Sequence, residues 1–239
     1  MHTIEKHLNN QKRLWALTAL KGEDMITASG WKSTASRKSF SKKEMEEFVE
    51  NVIQKLNPHF CRIYSSVLEI GVGSGLILRG IAPNVFKFDA VDISPEILDA
   101  CRRFNAECCA NVRFFQMFAH EIEELDDTYD IIIMNSIMQY FADMDYAHNV
   151  LEKCKCKLRP GGVIFCGDIM DLDKKDEMIA YVSNDGIEQH NFNKLLFLRR
   201  SFFCNLADEQ PFVRCEISDK IYTLSNELSL FRFDAMLYL

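Results

Sequence analysis

No apolar run in this 239-residue chain approaches the roughly 18 residues that a membrane-spanning helix needs. The N-terminal stretch MHTIEKHLNNQKRLW lacks the apolar segment of a secretory signal. There is no internal repeat and no low-complexity tract, which excludes solenoids and disordered linkers. Positive charge is also short: 35 acidic residues against 28 Lys and Arg leave a formal charge of −7. Nucleic-acid binding needs Lys and Arg to neutralise phosphates, so no nucleic-acid partner is expected. None of the nine cysteines is spaced C-x-x-C, which removes the usual zinc and dithiol motifs. Cys154 and Cys156 flank Lys155 on a predicted helix and point to different faces, so they make no metal pair. Several cysteines sit in apolar contexts, such as Cys166 in VIFCGD, where a free thiol behaves as a small hydrophobe. These features predict a cytoplasmic protein with no metal and no membrane association.

What is present is an ordinary globular composition, 48% hydrophobic and 26% charged. The length permits one domain with room for a cap, and a core sufficient without disulfides. Residues 1–24 read as a polar helix with an apolar stripe at Leu8, Trp15 and Ala19. Residues 28–43, rich in Ser and Lys, read as a loop. The run EMEEFVENVIQKL (Glu44–Leu56) has helical spacing, and Ser41 with Glu44 resembles a capping box. From Ser66 the pattern changes to short apolar strands (SVLEI, FDAVDI, VRFFQM, YDIIIMNS, GVIFCGDI). They alternate with helices beginning near Ser74, Pro95 and Asp145. The Asp145 helix stops at Arg159–Gly162, RPGG. Residues 172–208 read as helical. VRCEIS (Val213–Ser218) and LFRFDAMLYL (Leu230–Leu239) then pair as an antiparallel edge. Near-continuous apolar strands separated by helices mean a parallel sheet covered on both faces. The expected fold is therefore α/β: a doubly wound, mostly parallel, Rossmann-like sheet with a C-terminal antiparallel strand pair. Residues 1–60 would form an N-terminal helical lid and residues 61–239 the sheet domain.

The sharpest chemical signal is VLEIGVGSG (Val67–Gly75) followed by VDIS (Val91–Ser94). A buried strand ends in Glu69 and runs into Gly71, Gly73 and Gly75, which let the backbone turn tightly and approach a ligand closely. Asp92 closes the second strand about 20 residues on, where a carboxylate can hold a ribose diol. The bland alternative is a glycine-rich strand–helix turn with no ligand. The strand, the acid, the glycines and the second-strand Asp together disfavour it. A dinucleotide site prefers G-x-G-x-x-G. Here the spacing is G-x-G-x-G, with Leu76 at the third glycine's place, and an acid two residues before the first glycine suits an ammonium group rather than a pyrophosphate.

These features resemble the class I methyltransferases, whose ligand is S-adenosylmethionine. Longer stretches resemble the methylation domains of nonribosomal peptide synthetases: GWKS (Gly30–Ser33), EM (Glu44, Met45), LEIGVGSGLIL (Leu68–Leu78) and VDISPEIL (Val91–Leu98). So do NSIMQYFADMDY (Asn135–Tyr146), LRPGGVIFCGDI (Leu158–Ile169) and NELSLFRFDAML (Asn226–Leu237). The pieces occur in the family's order from Gly30 to the C-terminus. Residues 1–29 match nothing in that pattern, and the loop after Trp31 departs from it. With Met1 and no synthetase module, the chain reads as freestanding. By matching positions, the resemblance implies that Glu69, Gly71 and Gly73 line the methionine half of the cofactor, with Gly75 also among the cofactor-binding residues. Asp92 and Ile93 would hold the ribose and adenine, Phe118 and Ala119 would edge the adenine, and Asn135 and Ser136 would lie under the sulfonium. Phe118 and Ala119 read equally well as ordinary core.

Methyl transfer is a single displacement that needs alignment and exclusion of water, plus a base only when the nucleophile carries a proton. Gln139, Tyr140 and Asp168 are the catalytic candidates. Asp168, after the fifth strand, would be the base, although it reads equally as a helix-cap carboxylate. Tyr140 would orient the acceptor, and Trp31 would face the substrate cavity. His120 reads as a surface residue and His190 as part of a polar loop. The basic stretch Lys153–Arg159 complements a helix C-terminus. The loop with Lys32, Arg37, Lys38, Lys42 and Lys43 reads as solvated or as a dock for an acidic carrier protein. The expected function is methyl transfer to N or O of a small amino-acid-derived molecule, free or carrier-bound. An RNA or protein substrate and a non-catalytic binding module remain alternatives. The chain lacks the Asn/Asp-Pro-Pro-aromatic stretch of base methylation, with Asn135-Ser136-Ile137-Met138 in its place, and its oligomeric state is open.

Overall fold

The computed structural model describes residues 2–60, 64–183, 192–209, 212 and 214–239. Cys61, His190 and Val213 lie outside them. The sheet has seven strands in the order β3-β2-β1-β4-β5-β7-β6. They are β1 (Ser66–Ile70), β2 (Lys87–Asp92), β3 (Val112–Gln116), β4 (Tyr129–Asn135), β5 (Leu158–Met170), β6 (Arg214–Asp219) and β7 (Arg232–Tyr238). β1 to β5 are parallel, and β7 runs antiparallel to both β5 and β6. The expected C-terminal pair is present, with β7 slotted between β5 and the edge strand β6.

Period-two alternation splits the core into two layers. On β4, Ile131 and Ile133 pack into one cluster, Ile132 and Met134 into the other, and all four are buried. One layer holds α3 (Lys42–Leu56), α4 (Leu76–Ile81) and α5 (Pro95–Phe104); the other holds α6 (Met144–Lys157) and α8 (Arg200–Glu209). The Ser41–Glu44 capping box forms as expected. Ser94 caps α5 with Pro95 in its first turn.

Three expectations are refined. The helical lid was drawn to residue 60, yet α3 buries Met45, Phe48, Val52 and Leu56 against β1 and α4. It belongs to the sheet's own layer, and the covering segment ends near Phe40. That segment is α1 (His2–Lys21), α2 (Met25–Ala28) and a hairpin-like turn in which Lys32 bridges Ser39. Residues 172–208 are not one helical stretch. α7 (Lys175–Ser183) and α8 flank a segment in which Leu198 bridges Asp171 and the Leu196 N–H donates to Gln139 O. Buried Phe197 and Leu198 pull that segment across the strand ends, overriding helical propensity. On α1, Leu8 and Trp15 pack inward as expected, while Leu14, Leu17 and Leu20 stay exposed.

Candidate active site

A cavity of about 610 Å³ opens at the C-terminal ends of β1, β2, β4 and β5, where an open α/β sheet places its ligands. Residues 2–40 roof it through Gln11, Trp15, Ser29, Trp31 and Arg37, among others.

The glycine turn forms the near wall. Gly71 has φ +77°, and a Cβ there would come within 2.2 Å of the Ile137 side chain. Gly73 has φ +57° and faces Ser29. The Ser74 N–H donates to Ser29 Oγ (2.7 Å), Ser29 Oγ–H donates to Ser74 Oγ (2.9 Å), and the Ser74 hydroxyl donates to Met25 O (2.6 Å). Those bonds pin the lid to the turn. Gly75 does not reach the cavity. It starts α4 and packs against Asn105 and Cys101.

Two buried acids stand beside the turn. Glu69 is 2% exposed, and its Oε2 has no hydrogen-bond partner. Burial, then the neighbouring Asp92 charge, push its carboxyl well above the ordinary range. Asp92 accepts from Ser94 N (3.1 Å) and Gly73 N (3.2 Å). Burial nevertheless pushes it up to about 6. Ile93, Phe118 and Ala119 continue the wall. Ala119 also packs in the core, as its alternative reading had it. His120 is not the surface residue expected. It is half-buried, stacks on Phe118, and its Nδ1 lies 2.9 Å from the Tyr146 hydroxyl.

At the end of β4, Asn135 is buried with neither side-chain atom partnered. Gly167 makes room for it, since a Cβ there would sit 1.9 Å from Asn135 Oδ1. Ser136 and Asp168 are both non-glycine residues at φ +59°. Such strain collects at functional sites and must be held by its surroundings. Here the Ser136 hydroxyl donates to Asp168 Oδ2 at 2.7 Å, and Gln139 Nε2 donates to Ser136 O and Oγ, both at 2.9 Å. That fixes the Gln139 amide and leaves its Oε1 unpartnered.

Asp168 is fully buried, its Oδ1 unpartnered, with Arg232 Nη1 at 3.4 Å from Oδ2 and Lys220 Nζ at 3.6 Å from Oδ1. It does not cap a helix; Asp171 caps the following turn. Beneath it Asp234 accepts from Lys220 (2.7 Å), Lys55 (2.6 Å) and the Asp168 N–H (2.8 Å). Tyr140 is half-buried, edge-on to Trp15 at 5.0 Å, with its carbonyl 2.8 Å from His7 Nε2. Burial pushes its phenol up, opposed by the nearby Arg232 charge. Trp31 lines the cavity and packs edge-on to Phe48 at 4.4 Å.

All the cofactor, catalytic and substrate residues named from sequence except Gly75 thus border one cavity. Sequence reasoning missed Gln11, Trp15, Ser29, Glu227 and Arg232 there. Arg232 carried a signal, being a lone cation in the apolar run LFRFDAML. Glu227, buried, accepts from Ser33 Oγ, Thr34 N and Ala35 N and so ties down the lid turn.

Comparison with known proteins decides the family. Residues 67–162 match the model of a methyltransferase domain. The chain belongs to the class I S-adenosylmethionine-dependent methyltransferases. It is 33% identical over 229 residues to chondramide synthase cmdD of Chondromyces crocatus, covering 87% of this chain but 6% of that one. It is 31% identical over 234 residues to the nonribosomal peptide synthetase asqK of Emericella nidulans, covering 87% of this chain and 9% of that one. The methyltransferase chain therefore spans a small part of these long relatives. The N-methyltransferase NodS of Bradyrhizobium japonicum, solved with S-adenosyl-L-homocysteine, superposes with TM-score 0.66 at 14% identity over 96% of this chain and 98% of that one. Magnesium protoporphyrin IX methyltransferase of Synechocystis, solved with S-adenosylmethionine, gives TM-score 0.62 at 10% identity over 97% and 95%. Those two likenesses speak to fold. Among the described residues, no group of acids, His and Cys is placed to hold a metal, and no helix is long and apolar enough to cross a membrane.

Proposed function

We propose that this methyltransferase acts on a nitrogen or oxygen of a small amino-acid-derived molecule, free or held on a carrier protein. One observation carries the reading. The orphaned buried polar atoms on the cavity wall are mostly acceptors: Glu69 Oε2, Asn135 Oδ1, Gln139 Oε1, Gln11 Oε1 and Asp168 Oδ1. Buried polar atoms without partners are costly, so these await hydrogen-bond donors. The matched synthetases, which assemble peptides, support the substrate class. The roofed cavity favours a small acceptor over a folded macromolecule.

The residues fit the cofactor. Glu69 and Asp92 offer uncompensated acid to its ammonium and ribose diol, and Asn135 Oδ1 lies where a donor or a cation is wanted. When bound, the cofactor supplies an electrophilic methyl group. Ile93, Phe118 and Ala119 would flank the adenine, and Gly71 and Gly73 the methionine chain. Residues 2–40 act as the lid that excludes water, with Trp31 on its inner face. Gln139 Oε1 and Asp168 Oδ1 accept from the nucleophile's N–H or O–H and aim its lone pair, while Tyr140 closes the far side. Arg232 and Lys220 change the part expected of Asp168. With those two cations beside it, Asp168 serves better as a fixed acceptor than as a base.

The test offers S-adenosylmethionine with aminoacyl thioesters, free amino acids and short RNA, and detects methylated product by mass. Product from an amine-bearing or hydroxyl-bearing acyl compound is expected. Methylation of RNA alone would overturn the reading.

A further inference from the structure

Beyond its contact with Asp168, Arg232 has no part in the methyl-transfer reading. It opens β7 opposite Met170 of β5 and borders the cavity, 8% exposed. Its contacts are loose: Nη1 lies 3.4 Å from both the carbonyl and Oδ2 of Asp168, and Nε–H is buried with no partner. Arg–carboxylate pairs are frequently bidentate, with N–O distances of about 2.7–2.9 Å. Arg232 keeps a donor in reserve, in a wall otherwise rich in acceptors.

The donor does not stand alone. Asp168 Oδ1, which faces Lys220 at 3.6 Å without a hydrogen bond, belongs to the carboxylate that Arg232 touches, and Gln139 Oε1, an acceptor with no partner, is joined to Asp168 through Ser136. An acceptor without a hydrogen bond, Gln139 Oε1, and a donor without one, Arg232 Nε–H, on residues linked through Ser136 and Asp168, complement a molecule that carries an N–H or O–H next to a C=O. Resting on the methyl-transfer reading above, we propose that Arg232 is the residue that selects the acceptor substrate. Its Nε–H takes the carbonyl oxygen of an acyl group adjacent to the atom that is methylated. A carboxylate and a thioester both present that oxygen. The same contact fixes the distance from the carbonyl to the nucleophile, so it orients as well as binds. An amine without the carbonyl leaves the guanidinium unpartnered and is rejected, as sites built to bond a polar group reject analogues lacking it.

The probes are L-alanyl N-acetylcysteamine thioester, L-alanine and ethylamine, whose small side chains fit any acceptor cavity. Binding to the full chain saturated with S-adenosylhomocysteine is read by calorimetry, and methyl transfer from S-adenosylmethionine by mass. Wild-type protein is expected to bind at least one acyl probe about tenfold or more tighter than ethylamine. The preferred acyl probe tells whether the oxygen comes from a free carboxylate or a thioester. Arg232→Gln should abolish that preference while S-adenosylhomocysteine affinity is unchanged. Arg232→Lys, which keeps a charge but loses Nε–H, should restore part of it. Equal binding of ethylamine and both acyl probes by wild type, absence of binding included, overturns the assignment without any variant. An acyl preference that survives in Arg232→Gln overturns it too. Acyl binding that depends on Arg232 without methylation of any probe leaves the assignment standing and refutes the proposed acceptor.

Discussion

Two pairs of buried carboxylates lie on and just beneath the wall of this cavity and are treated in opposite ways. Glu69 and Asp92, at the ends of β1 and β2, have no cationic partner among the described residues, and burial pushes both upward. Asp168 and Asp234, at β5 and β7, share Arg232, Lys220 and Lys55 within 3.6 Å. Burial pushes the Asp234 carboxyl up too, but Lys220 and Lys55 outweigh it and hold it below its ordinary value. A buried charge is tolerable only when something pairs with it. The second pair is completed by the protein itself and belongs to its architecture. The first is left for a ligand to complete, and in our proposal the cationic, hydroxyl-bearing cofactor does so.

The comparison breaks most visibly at Asp234. Asp234→Asn leaves Lys55 and Lys220 facing each other, and removing one partner of a buried ion cluster costs about 3–5 kcal/mol. Denaturant unfolding should show that loss. A change near zero would mean the cluster is solvated and the contrast false. At Asp168, exchange for Asn removes a charge-assisted acceptor and should lower turnover about tenfold to a hundredfold, with S-adenosylhomocysteine affinity intact. If Asp168 only accepts a hydrogen bond, wild type and variant keep pH–rate profiles of the same shape. A limb present in wild type and missing from the variant would restore Asp168 as a base. On the other side, Asp92→Ala should weaken cofactor binding at least about tenfold, since the ribose loses its acceptor. Its cost to the ligand-free fold, where two backbone N–H groups lose their acceptor, should be smaller than that of Asp234→Asn. Smallest is Ser29→Ala, which unpins the lid from Ser74 and should speed cofactor release only a few-fold, about 1 kcal/mol. Stopped-flow dissociation reads it.

The same contrast explains what the sequence revealed. The cofactor end is built from contiguous strand–turn–helix, so Glu69, Gly71, Gly73 and Asp92 announce themselves by local spacing. The sheet was readable for the same reason: parallel strands buried on both faces are apolar at nearly every position. The acceptor end is assembled from distant segments. Gln11 comes from α1, Gln139 from the turn after β4, Asp168 from β5 and Arg232 from β7, and no spacing links them. The lid boundary was misjudged because α3 is amphipathic whether its apolar face covers a cavity or a sheet. Gly75 was placed in the site because a glycine motif does not tell the residue that approaches a ligand from the one that lets two elements pack.

The contrast has a pH signature. In the ligand-free fold Asp92 takes up a proton near pH 6, whereas an unfolded Asp does so near 3.9. Its folded value is raised, so its protonation stabilises the fold increasingly as pH falls from about 6 toward 4. Ligand binding needs the charged form, so affinity should fall up to about tenfold per pH unit below 6. The most direct measurement is calorimetric titration of S-adenosylmethionine at pH 6 in buffers of different ionisation enthalpy. If the cofactor completes Glu69 and Asp92, binding must expel the protons they hold. Asp92 alone should then release about half a proton at pH 6, with Glu69 adding to it. In Asp92→Asn the release should shrink. Proton uptake, or a binding enthalpy that does not depend on the buffer, would contradict the account.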